Sequence, residues 1–284
     1  MNTIDRVAVL GAGTMGHGIA QVCAGAACRV ALYDIDDAAV ARGLERIRSN
    51  LDKGVGLGKV TPEERDAVLG RIRTTSSIAD ASTGADLIIE AAPESLELKA
   101  SIFAEVDKAA PAEALLATNT SSLSIERIAE AVARPSRLLG LHFFNPVHIM
   151  KLVEVVWGPD TSDAARMAAE AFVRRLDKEP VVVKDSPGFA SSRLGIVLGM
   201  EAIRMVEEGV ASPQDIDKAM ELGYRHPMGP LKLTDLVGLD VRLGIAEYLA
   251  ETLGSEAFRP PELLKRMVAE GKLGKKTGQG FYEW

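Results

Sequence analysis

The sequence predicts an α/β fold built on a doubly wound sheet, followed by an all-helical domain, and three observations carry that prediction. Up to about Asp185, short β-branched runs alternate with longer helical stretches. One junction, Gly11-Ala12-Gly13-Thr14-Met15-Gly16, is a glycine-rich turn between a strand-like and a helix-like segment. After Ser186-Pro187-Gly188 no convincing strand follows.

The runs are Val7–Leu10, Arg29–Tyr33, Asp86–Glu90, Leu115–Thr118, Leu138–His142 and Pro180–Val183. Most are apolar at consecutive positions, the pattern of strands buried on both faces of a parallel sheet. Helical segments such as Glu97–Ala110 and Ser162–Arg175 lie between them, so βαβ units follow. Beyond the boundary, Phe189–Glu208 reads as one long, mostly apolar helix. Either neighbouring helices or a second subunit must cover it. Ser212-Pro213 starts another helix, with Ser212 as N-cap. Leu231–Leu253 and Pro261–Glu270 supply two more. The domains expected are residues 1–185 and 186–284.

Of the 284 residues, 47% are hydrophobic and 26% charged, as in ordinary globular proteins. No apolar run approaches the ~18–20 residues of a membrane span. No signal peptide precedes the first strand, so a cytoplasmic location is expected. The net charge of −7 argues against nucleic acid or an anionic membrane as a partner, because phosphate backbones demand clustered Lys and Arg. Cys23 and Cys28 sit in apolar surroundings and read as small buried residues rather than as a disulfide or a metal pair.

The turn at Gly11–Gly16 matches G-x-G-x-x-G in the context its chemistry requires, after a strand and before the run His17–Ala27. Gly11 permits the tight turn, Gly13 lets the backbone approach a pyrophosphate, and Gly16 allows close packing. Thr14 and Met15 complete the cradle, where free amides at a helix start favour phosphate. Asp34 ends the next strand, at the distance where a carboxylate takes ribose hydroxyls. With Asp36 and Asp37 beside it, a 2′-phosphate would meet three carboxylates, each close pair repelling by about 1–4 kcal/mol. The expected fold is therefore Rossmann-type and the expected cofactor NAD, not NADP.

A dehydrogenase acting on a hydroxyl needs a group to take its proton, and histidine is the commonest choice. Of His17, His142, His148 and His226, His142 stands at the end of a buried-type strand, where open α/β sheets place ligands. Glu154 is an acid in the apolar run Lys151–Val156, where an unpaired carboxylate is costly. Two readings stay open on the residues alone: a pair with His142 that orients the imidazole, or a side chain facing solvent from an edge strand. No metal is expected, since hydride transfer to a nicotinamide needs none.

Asn119-Thr120-Ser121-Ser122-Leu123, Leu141-His142-Phe143-Phe144-Asn145-Pro146, Lys151-Leu152-Val153-Glu154, Ser186-Pro187-Gly188-Phe189 and the ending Gly274-Lys275-Lys276-Thr277-Gly278-Gln279-Gly280-Phe281-Tyr282 resemble the L-3-hydroxyacyl-CoA dehydrogenase family, which includes bacterial 3-hydroxybutyryl-CoA dehydrogenases. The resemblance runs end to end with the motifs in order. It implies a helical hairpin inserted after the second strand, and a C-terminal helical domain that dimerises. It also implies that His142 is the general acid/base with Glu154 its partner, and that Ser121 hydrogen-bonds the substrate oxygen. Ser121 alone could equally be a helix N-cap before Ile125. By the same resemblance Asn119 and Asn145 line the nicotinamide and substrate region, Glu94 and Lys99 contact the cofactor ribose, and Lys276 reaches towards the cofactor. Read without it, Glu94 and Lys99 are solvated helix-end charges. The implied reaction is reversible NAD-dependent oxidation of an (S)-3-hydroxyacyl-CoA, short-chain such as 3-hydroxybutyryl-CoA. A dehydrogenase of free 3-hydroxy acids or sugar acids, or a non-catalytic NAD-binding protein, are the competing readings. The histidine motif favours the CoA branch, and the intact Ser121, His142 and Glu154 favour catalysis.

Two departures stand out. The family places an asparagine before the arginine that follows Pro-Gly-Phe, in contact with substrate; here Ser192 stands there. A shorter hydroxyl loses a hydrogen bond worth ~1–3 kcal/mol if nothing compensates. An altered substrate preference is expected. In family members the hairpin offers CoA a serine and a lysine, where this chain has Asn50 and Leu57. Lys53 and Lys59 are nearby cations able to take over, though each also reads as a solvated helix end. The glycines around them suit a mobile, closing hairpin.

Overall fold

The consecutive apolar runs form the middle of a single eight-stranded sheet in the computed structural model, which describes residues 3–284. The chain divides into two units, Met1–Ser186 and Pro187–Trp284.

In the first unit the strands are β1 (Arg6–Leu10), β2 (Arg29–Tyr33), β3 (Ile72–Thr75), β4 (Leu87–Glu90), β5 (Leu115–Thr118), β6 (Leu138–Phe143), β7 (Leu152–Trp157) and β8 (Glu179–Lys184), in the order β3-β2-β1-β4-β5-β6-β7-β8. β4, β5 and β6 are buried along their whole length, as their unbroken apolar character requires. The order reverses direction at β1 and β4, the switch point where doubly wound sheets bind ligands. Helices α1 (Gly16–Gly25), α2 (Asp37–Gly56), α3 (Pro62–Gly70), α4 (Ile78–Ser82), α5 (Leu96–Ala109), α6 (Ile125–Ala129) and α7 (Asp163–Arg175) connect them. α2 and α3 are the inserted hairpin between β2 and β3. Asp36 caps α2 by accepting from the Ala39 N–H, and Thr61 caps α3 in a reciprocal box with Glu64.

In this unit four readings change. The sheet is mixed, not parallel: β6 and β7 run antiparallel, which a short return between them allows and a crossover helix would not. β7 is an internal strand, because β8 lies outside it. β8 is not buried on both faces but is the exposed edge, with Val181 and Val182 on the surface. The cap of α6 is Ser124, which accepts from the Arg127 N–H, so Ser121 is released from that role. β3, short and half-exposed, carries too little apolar signal to be read from sequence.

The second unit is all-helical: α8 (Ser191–Glu207), α9 (Pro213–Gly223), α10 (Pro230–Val237), α11 (Leu239–Leu253) and α12 (Glu262–Ala269). The expected single helix over Leu231–Leu253 is two. Gly238, at φ 106°, stands between α10 and α11 in a conformation only glycine adopts readily. On α8, Ile196, Met200 and Ile203 are buried in this unit's own core with Leu231 and Leu239, while Leu194 is exposed. Ser212 caps α9 as expected. The C-terminal residues are held by Asp235, which accepts from the N–H groups of Phe281 and Tyr282 and from the Trp284 indole. Cys23 and Cys28 are free and buried.

Candidate active site

The glycine-rich turn is shaped by close approaches rather than by flexibility. A Cβ on Gly16 would lie 1.6 Å from the Gly11 carbonyl oxygen, and one on Gly11, at φ 107°, would lie 2.7 Å from the Ala91 oxygen. At Gly13 nothing lies within 4 Å of where a Cβ would be, so the turn is open on the side a pyrophosphate approaches. Met15, at the N-cap of α1, supplies no side-chain cap, which leaves the helix start with its partial positive charge for an anion. Thr14 lies exposed between them. A cavity of about 630 Å³ adjoins the turn, lined by Gly11, Gly13, Asp34, Ile35, Ala92 and Leu98 among others.

Asp34 closes β2 with both oxygens engaged. Oδ2 accepts from the Ala12 N–H at 2.7 Å and Oδ1 from the Ile35 N–H at 2.7 Å. Each carboxylate oxygen has a second lone pair, so the residue that braces the turn can also accept from a sugar hydroxyl. These features fit a dinucleotide without a 2′-phosphate.

At the other end, His142 and Glu154 are directly opposed across the β6–β7 ladder. The imidazole Nδ1 lies 2.7 Å from Glu154 Oε2, with His142 7% and Glu154 1% exposed. A carboxylate only accepts, so Nδ1 carries the proton of this contact. Phe144 packs against the ring at 4.4 Å between centroids. The alternative of Glu154 facing solvent from an edge strand is excluded by its burial.

Between these ends, Asn119–Leu123 follows β5. The Asn119 amide oxygen accepts from the Phe143 N–H at 2.9 Å, tying this turn to the residue after His142. Glu94 organises the rest. Its Oε1 accepts from the Thr120 hydroxyl at 2.5 Å, the Ser121 N–H at 3.0 Å, the Ser121 hydroxyl at 3.3 Å and the Ser122 hydroxyl at 3.4 Å. Lys99 is not the solvated helix-end charge its sequence position suggests. It is 1% exposed, donates to Glu90 at 2.8 Å and the Ala92 carbonyl at 3.1 Å, and lies 3.5 Å from Glu94 Oε2. Nor is Glu94 free in solvent.

Asn145 is exposed on the turn after β6, before the cis peptide to Pro146. That turn is held by a residue that no sequence pattern singles out. Lys178, buried, donates to the carbonyls of Val147 at 2.6 Å and Met150 at 2.7 Å, and burial pushes its pKa down. A lysine followed by an acid in a loop carries no sequence pattern for this task.

The remaining candidates belong to the inserted hairpin and to the second unit. The half-buried Asn50 amide donates to Gln21 at 3.4 Å. Lys53 stands exposed in the last turn of α2 and Lys59 in the turn beyond it, with Leu57 exposed between them. Gly54 and Gly56 are helical, and only Gly58 of this run has a positive φ. Ser192 belongs to the first turn of α8 in the second unit. Lys276, also there, donates to both oxygens of Asp240 at 2.5 and 2.6 Å. Burial raises the pKa of that carboxyl, but the Lys276 hydrogen bond and charge together with backbone N–H donors outweigh it and hold the group below its ordinary range. Among the described residues no group of three or more His, Cys, Asp or Glu is arranged to hold a metal, and no helix is long and apolar enough to cross a membrane.

Comparison with known proteins matches each unit to a family description. Residues 6–186 match the model for "3-hydroxyacyl-CoA dehydrogenase, NAD binding domain", and residues 188–284 match that for "3-hydroxyacyl-CoA dehydrogenase, C-terminal domain". The chain is 43% identical over 281 residues to a probable 3-hydroxybutyryl-CoA dehydrogenase of Bacillus subtilis, covering 99% of this chain and 98% of that one. It is 45% identical over 285 residues to a 3-hydroxybutyryl-CoA dehydrogenase of Mycobacterium tuberculosis, covering 100% and 99%. The crystal structure of (S)-3-hydroxybutyryl-CoA dehydrogenase from Ralstonia eutropha is similar at a TM-score of 0.95 and 42% identity, covering 99% of each chain.

Proposed function

The chain belongs to the 3-hydroxyacyl-CoA dehydrogenase family, and from that premise we propose how its own residues carry the reaction. It is an NAD-dependent enzyme that oxidises 3-hydroxyacyl-CoA to 3-ketoacyl-CoA, and reverses it. The short-chain 3-hydroxybutyryl thioester is the substrate its relatives' names favour. The observation that carries the reading is the His142–Glu154 pair at 2.7 Å, at the ligand-binding end of the sheet.

NAD, when bound, supplies the acceptor for the C3 hydride. Gly11, Gly13, Thr14, Met15 and Gly16 hold its pyrophosphate, and Asp34 its adenosine ribose. Glu94 faces its other ribose, steadied by Lys99. In oxidation, His142 Nε2 takes the C3 hydroxyl proton. The ring becomes an imidazolium while its Nδ1–H goes on donating to Glu154, whose charge stabilises it. In reduction the same proton returns to the ketone oxygen. Ser121, held by Glu94 through its N–H, turns its single O–H from Glu94 to that oxygen, and Asn119 and Asn145 line its surroundings. Ser192 and Lys276 carry the substrate and cofactor roles that the resemblance implies, and Asn50, Lys53 and Lys59 are the groups offered to CoA. A homodimer formed through the second unit is supported by its exposed Leu194, Leu222 and Tyr224. A cytoplasmic location fits an acidic chain of this family.

The test is NADH consumption with acetoacetyl-CoA, with free acetoacetate, and with neither. Turnover with the thioester alone is expected. Equal turnover of the free acid would move the substrate away from CoA, and none with any keto compound would overturn the assignment.

A further inference from the structure

Glu90, at the end of β4, has a carboxylate with no exposure at all. Its Oε1 accepts from the Ala92 N–H at 2.6 Å and from Lys99 at 2.8 Å, and its Oε2 from the Thr118 hydroxyl at 2.6 Å. Taking both charges from water is costly, and apolar residues of similar size would serve the core as well. Stability is therefore a weak reason for an ion pair here. Its location supplies another.

Glu90 stands between the two halves of the site. The Ala91 carbonyl after it abuts Gly11 of the glycine-rich turn. Its own carbonyl accepts from the Asn119 N–H at 2.8 Å. Through side chains the line runs further. Glu90 fixes Lys99, the Lys99 ammonium lies 3.5 Å from Glu94 Oε2, and Glu94 Oε1 binds Thr120 and the Ser121 N–H. Thr118, held by Glu90, in turn accepts from the Thr120 N–H at 3.3 Å. Two routes from one buried carboxylate thus converge on the turn that carries Ser121.

We propose that Glu90 is a positioning residue for the dehydrogenase reaction: by sharing Lys99 between two carboxylates it sets where Glu94 stands, and so where Ser121 presents its hydroxyl. Without the Glu90 charge, Lys99 turns wholly to Glu94 and draws it off the Ser121 turn. Glu90 itself touches neither substrate nor cofactor. This inference rests on the role given to Ser121 above.

The experiment is a double-mutant cycle of Glu90→Gln and Ser121→Ala, read as kcat for acetoacetyl-CoA reduction, with the Ser121 backbone amide resonance followed in Glu90→Gln. Glutamine keeps the shape, and its amide oxygen can still accept from Lys99 and the Ala92 N–H with the N–H₂ turned to the Thr118 hydroxyl, but the negative charge that holds Lys99 is gone. The expected loss in kcat is about 10- to 100-fold, the range for a misplaced catalytic contact. The double variant should fall no more than about twofold below the worse single variant, since coupled residues are not additive. The Ser121 amide should shift. Losses that multiply in the double variant, an unmoved amide, or a kcat within about twofold of wild type each overturn the proposal. If wild type turns over no ketoacyl-CoA, the reaction assigned above fails, and the amide shift still decides whether Glu90 places Ser121. Should Glu90→Gln not fold, Thr118→Val, which removes only one donor, must move the same resonance.

Discussion

His142 and Glu154 are opposed residues of an antiparallel ladder, so the 2.7 Å contact between imidazole and carboxylate is set by strand register. Sites on strands hold geometry more closely than sites on loops. Both side chains are also buried, so little competing water weakens the contact.

Replacing His142 by Gln should lower kcat by about 10²–10⁴-fold, the usual worth of a placed general base. NADH binding, followed by its fluorescence, should be nearly unchanged. A variant within tenfold of wild type would move proton transfer elsewhere.

Glu154→Gln keeps an acceptor for Nδ1–H but removes the charge that stabilises the imidazolium. A loss in kcat on the order of 10²-fold or more is expected, with KM little altered. Steady-state kinetics with the thioester check this. An unchanged kcat would reduce Glu154 to a structural partner.

Asp34→Ala should shift preference from NAD towards NADP by at least about tenfold in the ratio of kcat/KM, because the carboxylate at the cavity that would repel a 2′-phosphate is gone. The KM for NAD should also rise, since the Ala12 N–H loses its acceptor. An unchanged ratio would place the ribose elsewhere.

Tyr282 donates to Asp217 at 2.7 Å, and burial, then that bond, push its pKa well above the ordinary 10. A tyrosine raised in the folded state contributes stability that is full below the unfolded value near 10 and is lost as pH rises beyond it. Wild type should therefore lose stability above about pH 10 more steeply than Tyr282→Phe. At neutral pH the variant should be less stable by ~1.5–3 kcal/mol, the value of a hydrogen bond to a charged group. Urea melts at pH 7, 9 and about 10.5 measure both. Parallel pH profiles would remove the tyrosine proton from the balance.

Much of this was legible from residues. The glycine-rich turn and Asp34 were readable because backbone geometry there tolerates few residue types, and β4, β5 and β6 because strands covered on both faces are apolar without interruption. The His142–Glu154 contact was one of two readings until pairing was known, since register joins residues that sequence separates by a turn. Lys99 on residues alone reads as a solvated charge because a lysine near a helix start usually is one, and only the carboxylates of Glu90 and Glu94 make its burial tolerable. Lys178 left no trace, for its partners are carbonyls, which every residue has. Gly238 was passed over as one glycine inside a helical pattern, where only its φ reveals the break.

The reversed direction of β7 has a wider consequence. A parallel strand would need a dozen or more residues to cross back over the sheet. Here the chain returns within the eight residues between Phe143 and Leu152, all at the end of the sheet where His142 stands. That short turn carries Asn145 and is anchored from beneath by Lys178. Its residues thus reach the His142 end of the sheet directly, with no crossover helix interposed between that turn and the strands that carry the proton-transfer pair.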